Sequence, residues 1–155
     1  LVGSEMCIRD SYIGGTKCGA LCGEAVVFTH GNMPKNFVTL VKQHGALLAK
    51  GWLLGVQFDT LFTDDLYCRI ARHANDAADR IREVLVERGY TLTFDAPTNQ
   101  IFITLDNATS GRLQRNVRLG FMEKADDTHT VMRICTSWAT KAENVETLIE
   151  AVKKL

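Results

Sequence analysis

Lys17 is the residue whose surroundings best suit chemistry. It lies in the glycine-rich string G-G-T-K-x-G, directly after Thr16. A lysine that attacks a carbonyl group must be neutral, whereas a free lysine side chain has a pKa of about 10.4 and is almost wholly protonated at pH 7. Burial or a neighbouring cation lowers such a pKa. Flanking glycines let the backbone approach a phosphate group, and Thr16 adds a hydroxyl donor. From spacing alone, the commoner alternative is a solvated lysine in a surface turn.

Arg133 is a second unusual residue, because it is a charge inside a predicted strand. It lies between Met132 and Ile134, and the alternation of strand side chains places it on one face with Val131 and Cys135. A charged side chain in that position needs a partner. An internal salt bridge to a carboxylate is one way to supply it.

Other polar residues have competing interpretations. Lys50, in A-L-L-A-K-G, could bind an anion or could lay its stem along apolar surface with its ammonium in water. Cys18 and Cys22 could hold a metal together with His30 or His44. That spacing lacks a second pair of ligands, so we predict no metal site.

The elements around Lys17 are short. Residues 12–21 read as a glycine-rich turn, and residues 23–29 as a strand. Asn32 is predicted to cap the next helix, with Pro34 in its first turn. From residue 37 to 58 apolar residues leave no clean polar face, so this helical segment is expected to need cover from outside the visible chain and to expose apolar surface without it.

Residues from about 64 onward predict a small α+β layer. Asp64 and Asp65 open a long amphipathic helix that Gly89 stops. Two strands (YTLTF and QIFITL), a helix over 107–119, strands over 120–124 and 131–136, and a last helix with a capping box of Thr140 and Glu143 follow. We expect an antiparallel-rich sheet with helices on one face.

The amino-acid composition argues against several classes of protein and of binding partner. Hydrophobic residues make up 46% and charged residues 23%, which fits a packed domain. The 18 basic and 18 acidic residues balance, so neither nucleic acid nor a membrane surface is an expected partner. Five scattered cysteines fit reduced thiols in the cytoplasm. Residues 1–11, LVGSEMCIRDS, resemble a translated sequencing adaptor, and we expect them to be non-native and poorly packed.

Three strings, in this order, resemble the threonine aldolase / aromatic amino acid β-eliminating lyase family of pyridoxal-phosphate enzymes. They are YIGGTKCGALCGEAVVF, KQHGALLAKGWLLGVQF and VMRICTSWAT, and the resemblance covers essentially residues 12–155. It implies the C-terminal part of an α/β fold-type-I enzyme. Residues 12–63 would end the large cofactor-binding domain, and residues 64–155 would form the small α+β domain.

The resemblance also implies roles. Lys17 would hold pyridoxal 5'-phosphate, Thr16 would assist, and Lys50, with Lys42 and His44 as competitors, would reach the cofactor phosphate. Arg133 would bind the carboxylate of the amino-acid substrate, close to Lys17. The intact protein would be a cytoplasmic homo-oligomer, a dimer or tetramer, that cleaves a β-hydroxy amino acid such as L-threonine.

Two alternatives remain open at this point. The same family includes β-eliminating lyases, and a non-catalytic α+β interaction module would explain residues 64–155 without using Lys17. The family's ring-stacking residue, pyridine-nitrogen aspartate and glycine/threonine phosphate loop belong to segments upstream of this sequence. The chain alone is therefore expected to be inactive.

Overall fold

The structure, a computed structural model, describes residues 10–155. Contacts divide the chain into two compact units, Leu1–Tyr67 and Cys68–Leu155. Most of the adaptor-like tail lies outside the described residues. Asp10 and Ser11, at its end, belong to a strand in which they pair with Phe28 and Val27. The tail's expected lack of packing is therefore wrong at these two positions.

The first unit contains a two-stranded antiparallel hairpin and two helices. Strand β1 (Asp10–Gly14) pairs with β2 (Glu24–Phe28), and a 3-10 turn over Thr16–Cys18 lies between them. The glycine-rich turn is thus shorter than predicted, because Tyr12 to Gly14 continue the strand. The predicted strand after the turn is confirmed.

The apolar segment forms two helices instead of one. Helix α1 spans Phe37–Gln43 and α2 spans Trp52–Phe62. The predicted start at Asn32 is wrong, since the residue at the N-terminal cap of α1 is Asn36. Gly45, at a φ of 71°, follows α1 in a left-handed conformation that ends the helix. The expected apolar exposure is confirmed at Val38, Leu40, Leu47, Leu48, Trp52, Leu53, Val56 and Phe62.

The second unit is built around a long helix and a three-stranded sheet. Helix α3 (Leu66–Glu87) follows a 3-10 turn at Thr63–Asp65 and is succeeded by Gly89 at a φ of 82°, as predicted. The remaining elements are β3 (Gln100–Asp106), α4 (Asn107–Leu113), β4 (Gly120–Lys124), β5 (His129–Cys135) and α5 (Ala142–Lys153).

The sheet is antiparallel throughout, in the order β3-β5-β4. Ile101 pairs with Ile134 and Ile103 with Met132, so these side chains share one face. That face joins a continuous core with residues of the three helices, chiefly Ala77, Ala78, Ile81, Leu85, Leu113, Val145, Leu148, Ile149 and Val152. The predicted layer, helices on one face of an antiparallel sheet, is confirmed.

Three details of the second unit differ from expectation. The YTLTF string forms only one isolated bridge, between Leu92 and Ile103, so it is not a full strand. Helix α4 ends at Leu113, well before residue 119. The capping box is wrong, because Lys141 occupies the cap of α5 and the Thr140 hydroxyl oxygen accepts a hydrogen bond from the Ser137 N–H instead.

No helix among residues 10–155 is long and apolar enough to cross a membrane.

Candidate functional site

The turn that carries Lys17 is closed by backbone hydrogen bonds. The carbonyl of Gly15 accepts from the N–H groups of Cys18 at 2.9 Å and Ala20 at 3.0 Å. The N–H of Gly15 in turn donates to the Gly23 carbonyl at 3.4 Å, which joins the two ends of the loop. Lys17 therefore projects from a compact loop over residues 15–23 and not from an open strand end.

Glycine is required at specific points of this loop. A Cβ on Gly15 would lie 2.8 Å from the Ala20 Cβ, closer than real Cβ atoms approach, and one on Gly23 would lie 2.9 Å from a Leu54 methyl. Gly23 also has a φ of 97°, and Gly19 a φ of 96°, which disfavour other residues. The glycines that marked this string therefore serve first to fold the turn.

The Lys17 side chain is exposed, while that of the next residue, Cys18, is buried beneath it. Among residues 10–155, no hydrogen bond or ion pair holds the Lys17 ammonium, and the adjacent Thr16 is exposed as well. The turn thus presents an unengaged primary amine next to a hydroxyl group.

Helix α2 holds the far side of this loop. The Gln57 Oε1 atom accepts hydrogen bonds from the Leu21 N–H at 2.6 Å and the Cys22 N–H at 3.4 Å. From beyond the helix, the Tyr67 hydroxyl donates to the Gly14 carbonyl at 3.1 Å. Sequence reasoning missed both residues. A signal existed for Gln57, which falls on the same helical face as Leu54, Phe58 and Leu61 and is the polar member of that stripe.

Lys50 lies in the turn that leads into α2. Its carbonyl accepts from the Leu53 N–H at 3.0 Å in the first turn of that helix, and its side chain is exposed. The competing residues Lys42 and His44, at the end of α1, are exposed too. The structure therefore leaves the predicted role of Lys50 as a prediction.

Arg133 lies in β5, opposite Phe102 on one side and Gly120 on the other. It is on the sheet face turned away from the core, with Val131 and Cys135, as its spacing predicted. Its Nε atom is buried and has no hydrogen-bond partner among the described residues. The ion pairs found among residues 10–155 do not include it, so the internal salt bridge that was its alternative is not found there.

Gly120 lies beside the Arg133 side chain, and a Cβ at this glycine would make only ordinary van der Waals contact with it. A Cβ on Gly120 would lie 3.6 Å from the Arg133 Nε and 3.4 Å from its carbonyl oxygen. The buried Arg133 Nε, which has no partner among the described residues, keeps hydrogen-bonding capacity that a carboxylate could use.

Two carboxylates of the second unit are tuned by local hydrogen bonds. The side-chain hydrogen bond from Thr128, with the Thr128 and His129 N–H groups, lowers the pKa of Asp126 to about 2. Hydrogen bonds from Thr109 lower the pKa of Asp106, which caps α4. Both aspartates organise turns and are separate from the lysine loop in sequence.

Metal-binding side chains do not cluster in the described part of the chain: no group of three or more His, Cys, Asp or Glu residues there could hold an ion.

Comparisons with known proteins agree with the resemblance. No family model matches the sequence. The low specificity L-threonine aldolase of Pseudomonas aeruginosa is 28% identical over 141 residues, which are 90% of this chain and 40% of that protein. A second low specificity L-threonine aldolase, from a Pseudomonas species, is 31% identical over 93 residues, 59% of this chain and 27% of that protein.

Solved structures give the same answer for the fold. The threonine aldolase of Leishmania major matches with a TM-score of 0.89 and 36% identity over 94% of this chain and 43% of that one. The serine palmitoyltransferase of Sphingomonas wittichii matches 98% of this chain and 40% of that one with a TM-score of 0.66, and at 15% identity it shows the fold alone. The chain spans about two fifths of the length of the first relatives it matches. In sequence and fold the chain is similar to threonine aldolases, and it matches the C-terminal part of the fold-type-I architecture.

Proposed function

We propose that the intact protein containing this chain is a pyridoxal-phosphate-dependent lyase of the threonine aldolase type, which converts L-threonine to glycine and acetaldehyde. The observation that carries the proposal is the match to the Leishmania major threonine aldolase over 94% of this chain at a TM-score of 0.89. The β-elimination alternative has no comparable support, because the curated relatives are named as aldolases.

The residues present fit the cofactor. An aldehyde requires a free primary amine, and Lys17 offers one that no described residue engages. A phosphate requires donors and positive charge, which Thr16 and Lys50 would supply from exposed positions. We assign cofactor attachment to Lys17 and phosphate binding to Thr16 and Lys50.

Arg133 is assigned to the substrate. Its guanidinium can bind the α-carboxylate of an amino acid, and the partnerless Nε has hydrogen-bonding capacity to spare. When bound, pyridoxal phosphate supplies an electron sink for the bond that breaks. By fixing the carboxylate, Arg133 would orient the other groups on the α-carbon and so select that bond.

Lys17 would have a second task in this reaction. When it is not attached to the cofactor, the Lys17 amine could hold or return a proton.

We further infer a homo-oligomer in the cytoplasm. The exposed apolar side chains of α1, α2 and the turn between them favour a covering surface on another domain or subunit. The described cysteines, Cys18, Cys22, Cys68 and Cys135, are free, which fits a reducing compartment. Sedimentation of the intact protein would give the subunit number.

The test uses the purified intact protein. Addition of pyridoxal phosphate should produce a visible absorption band that borohydride removes, and L-threonine should then be converted to acetaldehyde, detected by coupled reduction. Absence of the band, or a band with 2-oxobutyrate and ammonia as the products in place of glycine and acetaldehyde, would refute the aldolase assignment. Residues 1–155 alone should show no turnover.

A further inference from the structure

Gln57 holds the loop that carries Lys17 in a way that no other described side chain reproduces. Its Oε1 atom accepts two successive backbone N–H groups, those of Leu21 and Cys22, at 2.6 and 3.4 Å. These two residues follow the 3-10 turn and precede β2. They therefore belong to the part of the loop that connects Lys17 to β2.

The orientation of the Gln57 amide is fixed by its surroundings. Its Nε2 atom donates to the Leu53 carbonyl at 2.9 Å and lies 3.9 Å from the Cys22 sulfur, a weak acceptor. The reversed amide would set an NH2 group against two N–H donors and an oxygen against a carbonyl. The hydrogen-bond chemistry therefore allows one orientation, which keeps Oε1 on the loop.

The rest of the loop is held by close packing on the same helix face. Cβ atoms built on Gly15 and Gly23 would lie 3.2 Å from the Phe58 ring and 2.9 Å from a Leu54 methyl. Leu54, Gln57 and Phe58 are three and four residues apart and thus share one face of α2. Apolar contact with glycine backbone restrains distance but not rotation, whereas two directional hydrogen bonds also restrain rotation.

We propose that Gln57 is a positioning residue for Lys17: by binding the Leu21 and Cys22 N–H groups, it sets the angle at which the lysine leaves its turn. Together with the Tyr67 hydroxyl on Gly14, it fixes the loop on both sides of the lysine. The inference rests on the proposed function, because it assumes that the direction of the Lys17 amine matters. Gln57 acts through the backbone and does not touch cofactor or substrate.

The experiment compares four forms of the intact protein: wild type, Gln57→Met, Gln57→Glu and a control, Gln43→Met. Methionine keeps the length of the side chain but offers only a weak acceptor, while glutamate keeps an oxygen that can accept both N–H groups. Gln43 is exposed at the end of α1, so its substitution controls for the loss of a glutamine in general.

Three quantities are measured for each form. Amide hydrogen exchange at Leu21 and Cys22 reports whether the loop is held. The pH midpoint and dissociation constant of the visible band formed with pyridoxal phosphate report how the lysine is presented. A loss of general stability would lower the melting temperature but would not move a pH midpoint in protein that remains folded.

For Gln57→Met we expect exchange at these amides to rise about tenfold, the effect of one net hydrogen bond. The variant should also bind pyridoxal phosphate more weakly, and the pH midpoint of its visible absorption band should be shifted. Gln57→Glu keeps the acceptor but sets its second oxygen against the Leu53 carbonyl, so it should lose less protection than Gln57→Met. Gln43→Met should match wild type. Unchanged exchange in Gln57→Met, or faster exchange with an unaltered band, overturns the positioning role. A wild type without any band refutes the proposed function instead, so the two failures are distinguishable.

Discussion

The two units of the chain are stabilised in different ways. In residues 68–155 a continuous apolar core joins three helices to one face of the sheet, with Leu85, Ile103 and Leu113 almost fully buried. In residues 10–67 the buried hydrophobic side chains are those of Cys18 and Leu61, and the lysine loop is held by hydrogen bonds and glycine packing. The second unit has the core of an independent domain, whereas residues 10–67 contain no comparable core.

The difference shows which part of the chain depends on its surroundings. Most of the large hydrophobic side chains that remain exposed lie in residues 10–67. Patches of that kind are usually covered in the functional state. The unit that carries the proposed cofactor lysine is therefore the one that most needs the rest of the intact protein, and reconstitution of activity should depend on that cover.

The largest effect is expected from Lys17→Ala in the intact protein. Removing the amine removes the proposed attachment point of the cofactor, so the borohydride-sensitive band should disappear and threonine cleavage should be abolished. Spectrophotometry measures the band, and a coupled acetaldehyde assay measures threonine cleavage. Lys35→Ala, at an exposed lysine of the same unit, is the control and should leave both intact. A band that survives in Lys17→Ala would place the cofactor elsewhere.

Arg133→Ala tests the contribution of the second unit to the same reaction. It should spare the band, because the residues proposed to hold the cofactor belong to the first unit. It should weaken substrate binding by roughly 2–5 kcal/mol, the cost of losing one partner of a buried charge pair. Titration with L-threonine, followed by the change in the visible absorption band, gives the dissociation constant of the substrate. Arg115→Ala, at an exposed arginine, should be neutral. Unchanged kinetics in Arg133→Ala would defeat the assignment.

A matched pair of leucine truncations tests the difference in packing directly. Leu85→Ala opens a cavity in the core of the second unit and should lower the free energy of unfolding by about 2–5 kcal/mol. Leu48→Ala, at a side chain 52% exposed in the first unit, should change it by about 0.5 kcal/mol or less in the isolated chain. Urea unfolding measures both. A large loss from Leu48→Ala would mean that the first unit has a core of its own.

The features that sequence predicted best are those with a strong local pattern. The helical period of α3 is visible in its apolar stripe. Gly89 follows the end of this helix with a positive φ, a conformation that glycine adopts easily. Arg133 was located on the correct face because strand side chains alternate. These properties depend on a few neighbouring residues and are readable without the fold.

The features that sequence missed depend on distant partners. Strand β1 exists because β2 lies beside it. The role of Gln57 depends on Leu21 and Cys22, thirty-five and more residues away. No local pattern contains such pairings, so the contacts that hold the lysine loop could not be read from residue types alone.

The smallest effect concerns acid stability and belongs to the β4–β5 hairpin of the second unit. Asp126 organises that turn by accepting hydrogen bonds from Thr128 and His129, and the Thr128 side-chain bond is the largest cause of its pKa of about 2. Because the folded-state pKa lies below the usual value of 3.8, its stabilisation is fully present above about pH 4 and is lost as the pH falls toward 2.

Asp126→Asn keeps an acceptor oxygen but removes the titration, so its melting temperature should fall less between pH 4 and pH 2 than that of the unaltered chain. Asp127→Asn, one residue on, should follow the unaltered chain. Parallel curves for all three proteins would show that the hairpin does not contribute to the acid response.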